Sequence, residues 1–302
     1  MQEFALTVVT PISGQQSDFS MMQTTLRNSY GLPIKFRYII DTPSKQRAAQ
    51  IQNLLSSPDS SQPEFQVADV SAPGLARNLG LCGLQTKWVA FWDSDDAPDV
   101  VEFLKMVNTA DENSFEVCVG NYAVLQDRTK KFVSKSRTPK TFPELGKCLG
   151  MNPGLWRFGF KSLLMDSIEF CELSMAEDQL FLAGLDLETL PIYVSNSVVY
   201  KYYIGDKSHL TKNTKALGQL PIASLRLLNR LDKAQNSISD FYVIMLSRQI
   251  LTAIKKAPLR SKFESVVLVL RIVLLKKKLR IRLPLSILYI ILHSREFFDE
   301  AA

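Results

Sequence analysis

With 302 residues, 46% of them hydrophobic and 22% charged, the chain has the composition of a globular protein with ample material for a core, not of a low-complexity polypeptide. Its formal charge of +6 is local: from Lys255 to Arg282 there are ten Lys and Arg against the single acid Glu264. The rest of the chain is therefore slightly acidic, which argues against a general nucleic-acid-binding surface.

The first half alternates short apolar runs with helix-like segments. Phe4 to Thr10 reads as a strand ended by Pro11 and Gly14, and Ser17 to Ser29 as a helix that Ser17 or Asp18 is able to cap. Lys35 to Asp41 is a second strand, Ser44 to Leu55 a second helix and Phe65 to Ala68 a short third strand. Pro73 to Leu84 is a helix opened by proline, whose φ suits a first helical turn. Trp88 to Trp92 is a fourth strand that runs into Asp93-Ser94-Asp95-Asp96. This order predicts an α/β fold with a mostly parallel sheet and helices on both faces. Ligands in such folds bind beyond the carboxyl ends of the strands, where Asp41 and Asp93 to Asp96 both fall.

Further along, Val117 to Leu125 and Lys131 to Lys135 read as a hairpin, and Ser174 to Leu185 as a helix with Glu177-Asp178 near its start. Leu190 to Val194 and Ser197 to Tyr203 are two more strands. After Pro221 long Leu- and Ile-rich helical patterns take over. The expected organisation is a domain of residues 1–215 and a helical, basic and apolar extension of residues 216–302.

The cysteines Cys82, Cys118, Cys148 and Cys171 form no CxxC pair, so they read as packing residues. Met1-Gln2-Glu3-Phe4 lacks a basic region leading into an apolar one, which sets a cytoplasmic location as the expectation.

The acidic cluster carries the most chemistry. Carboxylates fixed at a strand end suit a hard cation such as Mg²⁺ or Mn²⁺, which in turn binds phosphate oxygens. An acidic surface turn explains the same residues by spacing alone. The motifs in order decide between the two: Leu6-Thr7-Val8-Val9-Thr10-Pro11, then Asp41, Gly74-Leu75-Ala76-Arg77-Asn78, Asp93 to Asp96, and Glu177-Asp178. Together they resemble the family-two glycosyltransferases, inverting enzymes of GT-A fold with a DxD motif, over residues 4 to 210.

The resemblance implies a nucleotide-sugar donor and a role for each matched residue. Pro11 closes the first strand beside the nucleotide, and Asp41 contacts its base or ribose. Arg77 and Asn78 flank the crevice and hold the acidic loop. Asp93 and Asp95, around Ser94, bind the metal, and Asp96 supports it or meets donor hydroxyls. Asp178 is the general base for the acceptor hydroxyl, with Glu177 beside it. The family often has a second acid and a glycine after the base-binding Asp, whereas this chain reads Asp41-Thr42-Pro43-Ser44, which leaves the base open. Trp156 is either a sugar-stacking ring or a core residue. His209 is either a metal ligand in a loop with Lys207 or a solvated side chain.

Neither apolar run of the tail reaches the roughly twenty residues that span a bilayer. Their basic neighbours point to peripheral contact with an anionic inner membrane face, near a surface-glycan or lipid-linked acceptor. Packing on the catalytic domain or on a twin subunit is the other reading. Two rivals stand beside sugar transfer. A nucleotidyltransferase calls for a basic, Gly-rich loop after the first strand, but Pro11 to Ser17 has no basic residue. A non-catalytic membrane-associated scaffold of the same fold does not require the acids.

Overall fold

The computed structural model describes residues 4–58, 61–126, 131–135, 142–204, 213–233, 240–275, 279 and 281–292. In chain order the first elements are β1 (Leu6–Ser13), α1 (Ser20–Asn28), β2 (Ile34–Asp41), α2 (Lys45–Leu55), β3 (Glu64–Ala68), α3 (Pro73–Leu81), β4 (Trp88–Phe91) and β5 (Ala97–Pro98). Next come α4 (Val100–Glu112), β6 (Val117–Gln126), β7 (Lys131–Lys135), α5 (Phe142–Met151), β8 (Phe158–Lys161), α6 (Glu177–Gly184) and β9 (Ile192–Ile204). The chain then turns helical: α7 (Thr214–Leu217), α8 (Leu220–Lys233), α9 (Asp240–Lys256), α10 (Leu259–Leu275) and α11 (Arg282–Leu292).

These elements fall into two compact units. One comprises Met1–Thr138, Leu155–Glu172 and Thr189–Ile204, and the other Pro139–Gly154, Leu173–Glu188 and Gly205–Ala302.

The first unit is built on a nine-stranded sheet in the order β3-β2-β1-β4-β8-β6-β9-β5, with β7 paired to β6 beside that path. The pairs β3-β2, β2-β1 and β1-β4 are parallel, as the strand–helix alternation requires. Antiparallel β8 then sits between β4 and β6, while β6 and β9 run parallel again. The centre of β1 is buried without alternation because both of its faces are covered. Leu6, Val8 and Ile12 join one core with Met22 and Leu26 of α1, Ile51 of α2 and Phe103 and Val107 of α4. Val9 points the other way, toward α3. A Cβ on Gly80 would come within 2.3 Å of Val9 Cγ1, so this helix lies on the strand only because residue 80 has no side chain.

Several elements differ from the sequence expectation. β1 continues through Pro11 to Ser13. Val9 O accepts from Trp92 N, so its backbone faces β4; Pro11, two residues on, has the same orientation but lies past Phe91, where that ladder ends. A proline there costs no strand hydrogen bond. α1 begins at Ser20 with Phe19 at the N-cap, and Asp18 caps only locally by accepting from Ser20 N at 3.0 Å. The two late strands are one, β9, with register shifts against β6 between Val119 and Tyr122. Helix α4 was not anticipated. Asp99 caps it by accepting from Glu102 N, and Val100, Phe103, Leu104 and Val107 form its buried row.

The second unit is a helical cluster around α9. α9 is buried from Phe241 to Ser247. A Cβ on Gly150 would meet Phe241 O at 2.7 Å, which marks the close approach of α5. Polar groups inside are paired: Ser224 Oγ donates to Gln249 Oε1 at 3.1 Å, and Gln249 Nε2 donates to Gln179 Oε1 of α6 at 2.8 Å. Arg282 pairs with Asp240 at 2.8 Å. No helix among the described residues is long and apolar enough to cross a membrane.

Asp111 of α4 clamps the end of the β4-β8 pair. It accepts from Lys161 Nζ, from Trp88 Nε1 at 3.1 Å and from Lys87 Nζ at 3.1 Å. The Lys161 hydrogen bond leads the causes that hold its carboxyl down at about 2. An unfolded Asp titrates near ~3.9. The clamp is therefore fully stabilising above about pH 4 and is lost as pH falls through about 2. Asp111→Asn should cost about 1 kcal/mol at neutral pH, discounted for a partly exposed site. In urea unfolding the gap to wild type should hold from pH 7 to 5 and shrink below pH 4.

Candidate functional site

The carboxyl ends of β2, β1 and β4 lie side by side, and the sequence places Asp41 and Asp93 to Asp96 there. With strands about 4.8 Å apart, the ends of β2 and β4 are separated by about 10 Å.

The turn after β4 is fixed from inside. Asp96 is 3% exposed, and its Oδ1 accepts from Tyr203 N at 3.0 Å. Burial pushes its carboxyl well above the usual range, repulsion from Asp95 and Asp93 adds to this, and hydrogen bonds from Tyr203 N–H and the Tyr200 hydroxyl act the other way. The buried Tyr200 hydroxyl also accepts from Asp93 N at 3.1 Å. Two tyrosines of β9 thus hold both ends of the acidic turn. Asp95 is exposed and Asp93 half-buried, so these two carboxylates face solvent while Asp96 serves the interior.

Other residues steady the same turn. Arg77 of α3 is buried over the Phe170 ring and pairs with Asp93 Oδ1 at 3.0 Å. Asn78 clamps the backbone of Phe170, donating to its carbonyl at 2.9 Å and accepting from its N–H at 2.8 Å. Ser94 Oγ donates to Gln16 Oε1 at 2.6 Å, and Gln16 Nε2 donates back to Ser94 O at 3.2 Å. Arg47 of α2 donates to Gly14 O at 2.9 Å and to Gln16 O, which fixes the loop that carries Gln16. Gln16, Arg47, Tyr200 and Tyr203 were not among the expected site residues. No spacing signal marks them, because their contacts reach between 31 and 107 residues along the chain.

Asp41 is a backbone organiser. Its Oδ1 accepts from Val70 N at 2.9 Å and Ser71 N at 3.2 Å, and Ser71 holds φ 54°, a left-handed conformation unusual for a side chain-bearing residue. Pro11 lies on β1 between these two acidic ends. Trp156 is core: it is 7% exposed, stacked on Tyr200 and Tyr202 at 4.4 and 5.5 Å and edge-on to Tyr122 at 5.0 Å. A sugar has no ring face to reach there. Behind the acidic turn a cavity of about 10 Å³, lined in part by Thr10, Tyr38, Trp92 and Asp96, has room for about one water molecule and not for a nucleotide.

Glu177 and Asp178 open α6 in the second unit. Glu177 is buried, while Asp178 is half-buried and its Oδ1 accepts from Gln179 N at 2.8 Å. Ala176 before them sits at φ 64°, a strained position for alanine. His209 and Lys207 lie outside the described residues.

Asp93 and Asp95 are hard oxygen donors two residues apart. No group of three His, Cys, Asp or Glu that could hold a metal occurs among the described residues. The pair offers two oxygen donors of the kind Mg²⁺ and Mn²⁺ prefer, an open set and not a closed protein cage.

The sheet order and the helical layers are those of the GT-A glycosyltransferase fold. Among solved structures, S. aureus TarS 1-349 aligns with 97% of this chain and 92% of its own at 16% identity, with a TM-score of 0.57. Its complex with UDP-GlcNAc gives 0.59 over the same shares. The mannosyltransferase PcManGT from Pyrobaculum calidifontis, in complex with GDP-Man and Mn²⁺, aligns with 99% of this chain and 88% of its own at 11% identity, with a TM-score of 0.55. No protein-family model matches the sequence, and no curated protein matches it.

If the β9 tyrosines hold the turn, Tyr200→Phe leaves the Asp93 N–H and the Asp96 carboxyl short of a partner. The loss should be about 1–3 kcal/mol in urea unfolding, with an unchanged slope.

Proposed function

We propose that this chain is an inverting hexosyltransferase that moves a sugar from a nucleotide diphosphate donor, UDP-linked in the first instance, to a hydroxyl of a surface glycan or lipid-linked acceptor. The observation that carries the reading is the acidic turn: Asp93 and Asp95 face solvent at the carboxyl end of a parallel strand while Arg77, Gln16 and Tyr200 fix it from behind. The donors and metal held by the similar structures, UDP-GlcNAc in one and GDP-Man with Mn²⁺ in the other, support a nucleotide sugar and a divalent ion.

In this reading Asp95, with Asp93, would hold Mn²⁺ or Mg²⁺. The ion supplies neutralisation of the charge that grows on the leaving diphosphate. Arg77 keeps Asp93 in place, and Asn78 keeps the Phe170 segment under Arg77. Pro11 and Asp41 bound the nucleotide end of the site. Asp41 Oδ1 already serves two backbone N–H groups, so contact with base or ribose falls to Oδ2. Asp178 takes the proton of the acceptor hydroxyl as that oxygen attacks the anomeric carbon from the face opposite the diphosphate. The strained turn at Ala176 supports this role, because such backbone persists where the surroundings hold a side chain in a required place. Glu177 is buried beside it and orients the helix start. The catalytic residues would all fall within residues 1–215, working in the cytoplasm on intracellular donor.

A thermal-shift series with UDP-, GDP- and dTDP-sugars tests donor and metal together. One donor should raise the unfolding midpoint only when Mn²⁺ or Mg²⁺ is present, and EDTA should abolish the shift. Asp95→Ala should remove the metal-dependent shift. Asp178→Ala should keep it but lower transfer by about 10²-fold or more. Turnover that survives both substitutions sinks the assignment.

A further inference from the structure

Helix α10 buries one side and exposes an apolar one. Ser261, Ser265, Leu268 and Ile272, spaced by three or four residues, are all buried, and Ser261 Oγ donates to Gly218 O at 3.2 Å. At about 100° per residue, Leu259, Phe263, Val266, Leu270 and Leu274 fall on the opposite side. They are between 44% and 83% exposed. A surface helix ordinarily turns charge, not leucine, to solvent. α11 repeats the pattern: Leu283 and Ile290 are buried, while Leu285, Leu288, Ile291 and Leu292 are half-exposed or more.

The charges beside this stripe have one sign. Arg260 and Arg271 lie along one margin and Lys262 along the other, at roughly 80–100° from its middle. The single acid of α10, Glu264, is paired with Arg260 at 2.9 Å. In sequence the stripe runs on into Lys276, Lys277, Lys278 and Arg280 before Arg282. α10 is 17 residues long and interrupted by Arg271, so it is built to lie in an interface and not to cross one.

We propose that the exposed face of α10 seats on an anionic lipid surface, with the leucines and Phe263 among the acyl chains and the cations among the headgroups. Charge complementarity selects this occupant. A second copy on a two-fold axis would set the same cationic margins against each other, whereas acidic headgroups neutralise them. The inference is independent of the donor chemistry.

Full-length protein is to be sedimented with vesicles of phosphatidylcholine alone and of phosphatidylcholine with phosphatidylglycerol, at low and at high salt. Binding is expected to the anionic vesicles only, and to fall as salt rises. Phe263→Glu with Leu270→Glu should weaken it by about tenfold or more, with the unfolding midpoint unchanged because both side chains face solvent. Lys262→Ala with Arg271→Ala keeps the stripe and should still lose most of the preference for anionic lipid, and it serves if the first variant fails to fold. Absence of binding at low salt overturns the proposal, as does wild-type binding by both variants. A dimer in light scattering that Phe263→Glu dissolves, without vesicle binding, gives the face to a second copy and overturns it equally.

Discussion

A carboxyl group taken out of water gives up its charge readily and still needs hydrogen-bond partners. Asp96 finds them on β9, a strand more than a hundred residues further along the chain. The shape of the acidic turn depends on that inward turn of one acid. With Asp96 held by Tyr203 N–H and the Tyr200 hydroxyl, and Asp93 N bonded to the same hydroxyl, the backbone between them has little freedom. Asp95 is then turned to solvent. Two acids are left outside because a third is anchored inside.

That anchor is linked to the sheet by packing as well as by polarity. Tyr200 stacks on Trp156, and Trp156 also stacks on Tyr202, so the ring that supplies the hydroxyl is itself wedged in aromatic core. On the opposite flank α2 reaches the turn through a relay of side chain and backbone, from Arg47 to the loop at Gly14–Gln16 and from Gln16 to Ser94. Helix α3 completes the support with Arg77. Three helices or strands far apart in sequence converge on four residues. Pre-organisation of this kind is what a site for a highly charged ligand requires, since the electrostatic contribution of a carboxylate depends on its staying where it is.

The parallel half of the fold was legible because local rules suffice there. The runs Leu6–Thr10, Lys35–Asp41 and Trp88–Trp92 are rich in apolar, β-branched and aromatic residues, and each is followed by a turn. The acids at the ends of β2 and β4 follow from strand direction alone. The remainder depended on contacts that spacing does not encode. β8 has four residues and is inserted antiparallel between β4 and β6. Helix α4 does carry a readable signal, an Asp cap and an apolar row. Trp156 had two readings at the level of sequence, and only the three tyrosines around it decide for the core. Asp41 proved to be engaged with backbone, because a strand-end aspartate is also well placed to cap the neighbouring loop.

The two compact units are interleaved along the chain, each assembled from three separate stretches. During synthesis the sheet cannot close until β9 has emerged, so the acidic turn waits on residues 192–204 for its buttress. For the same reason no single cut separates the units. A truncation after residue 204 would retain Pro139–Gly154 and Leu173–Glu188 while discarding α8 and α9, against which they pack, and would expose the flank of α5 that Gly150 opens to Phe241. The helical tail is therefore a folding partner of the polypeptide's middle.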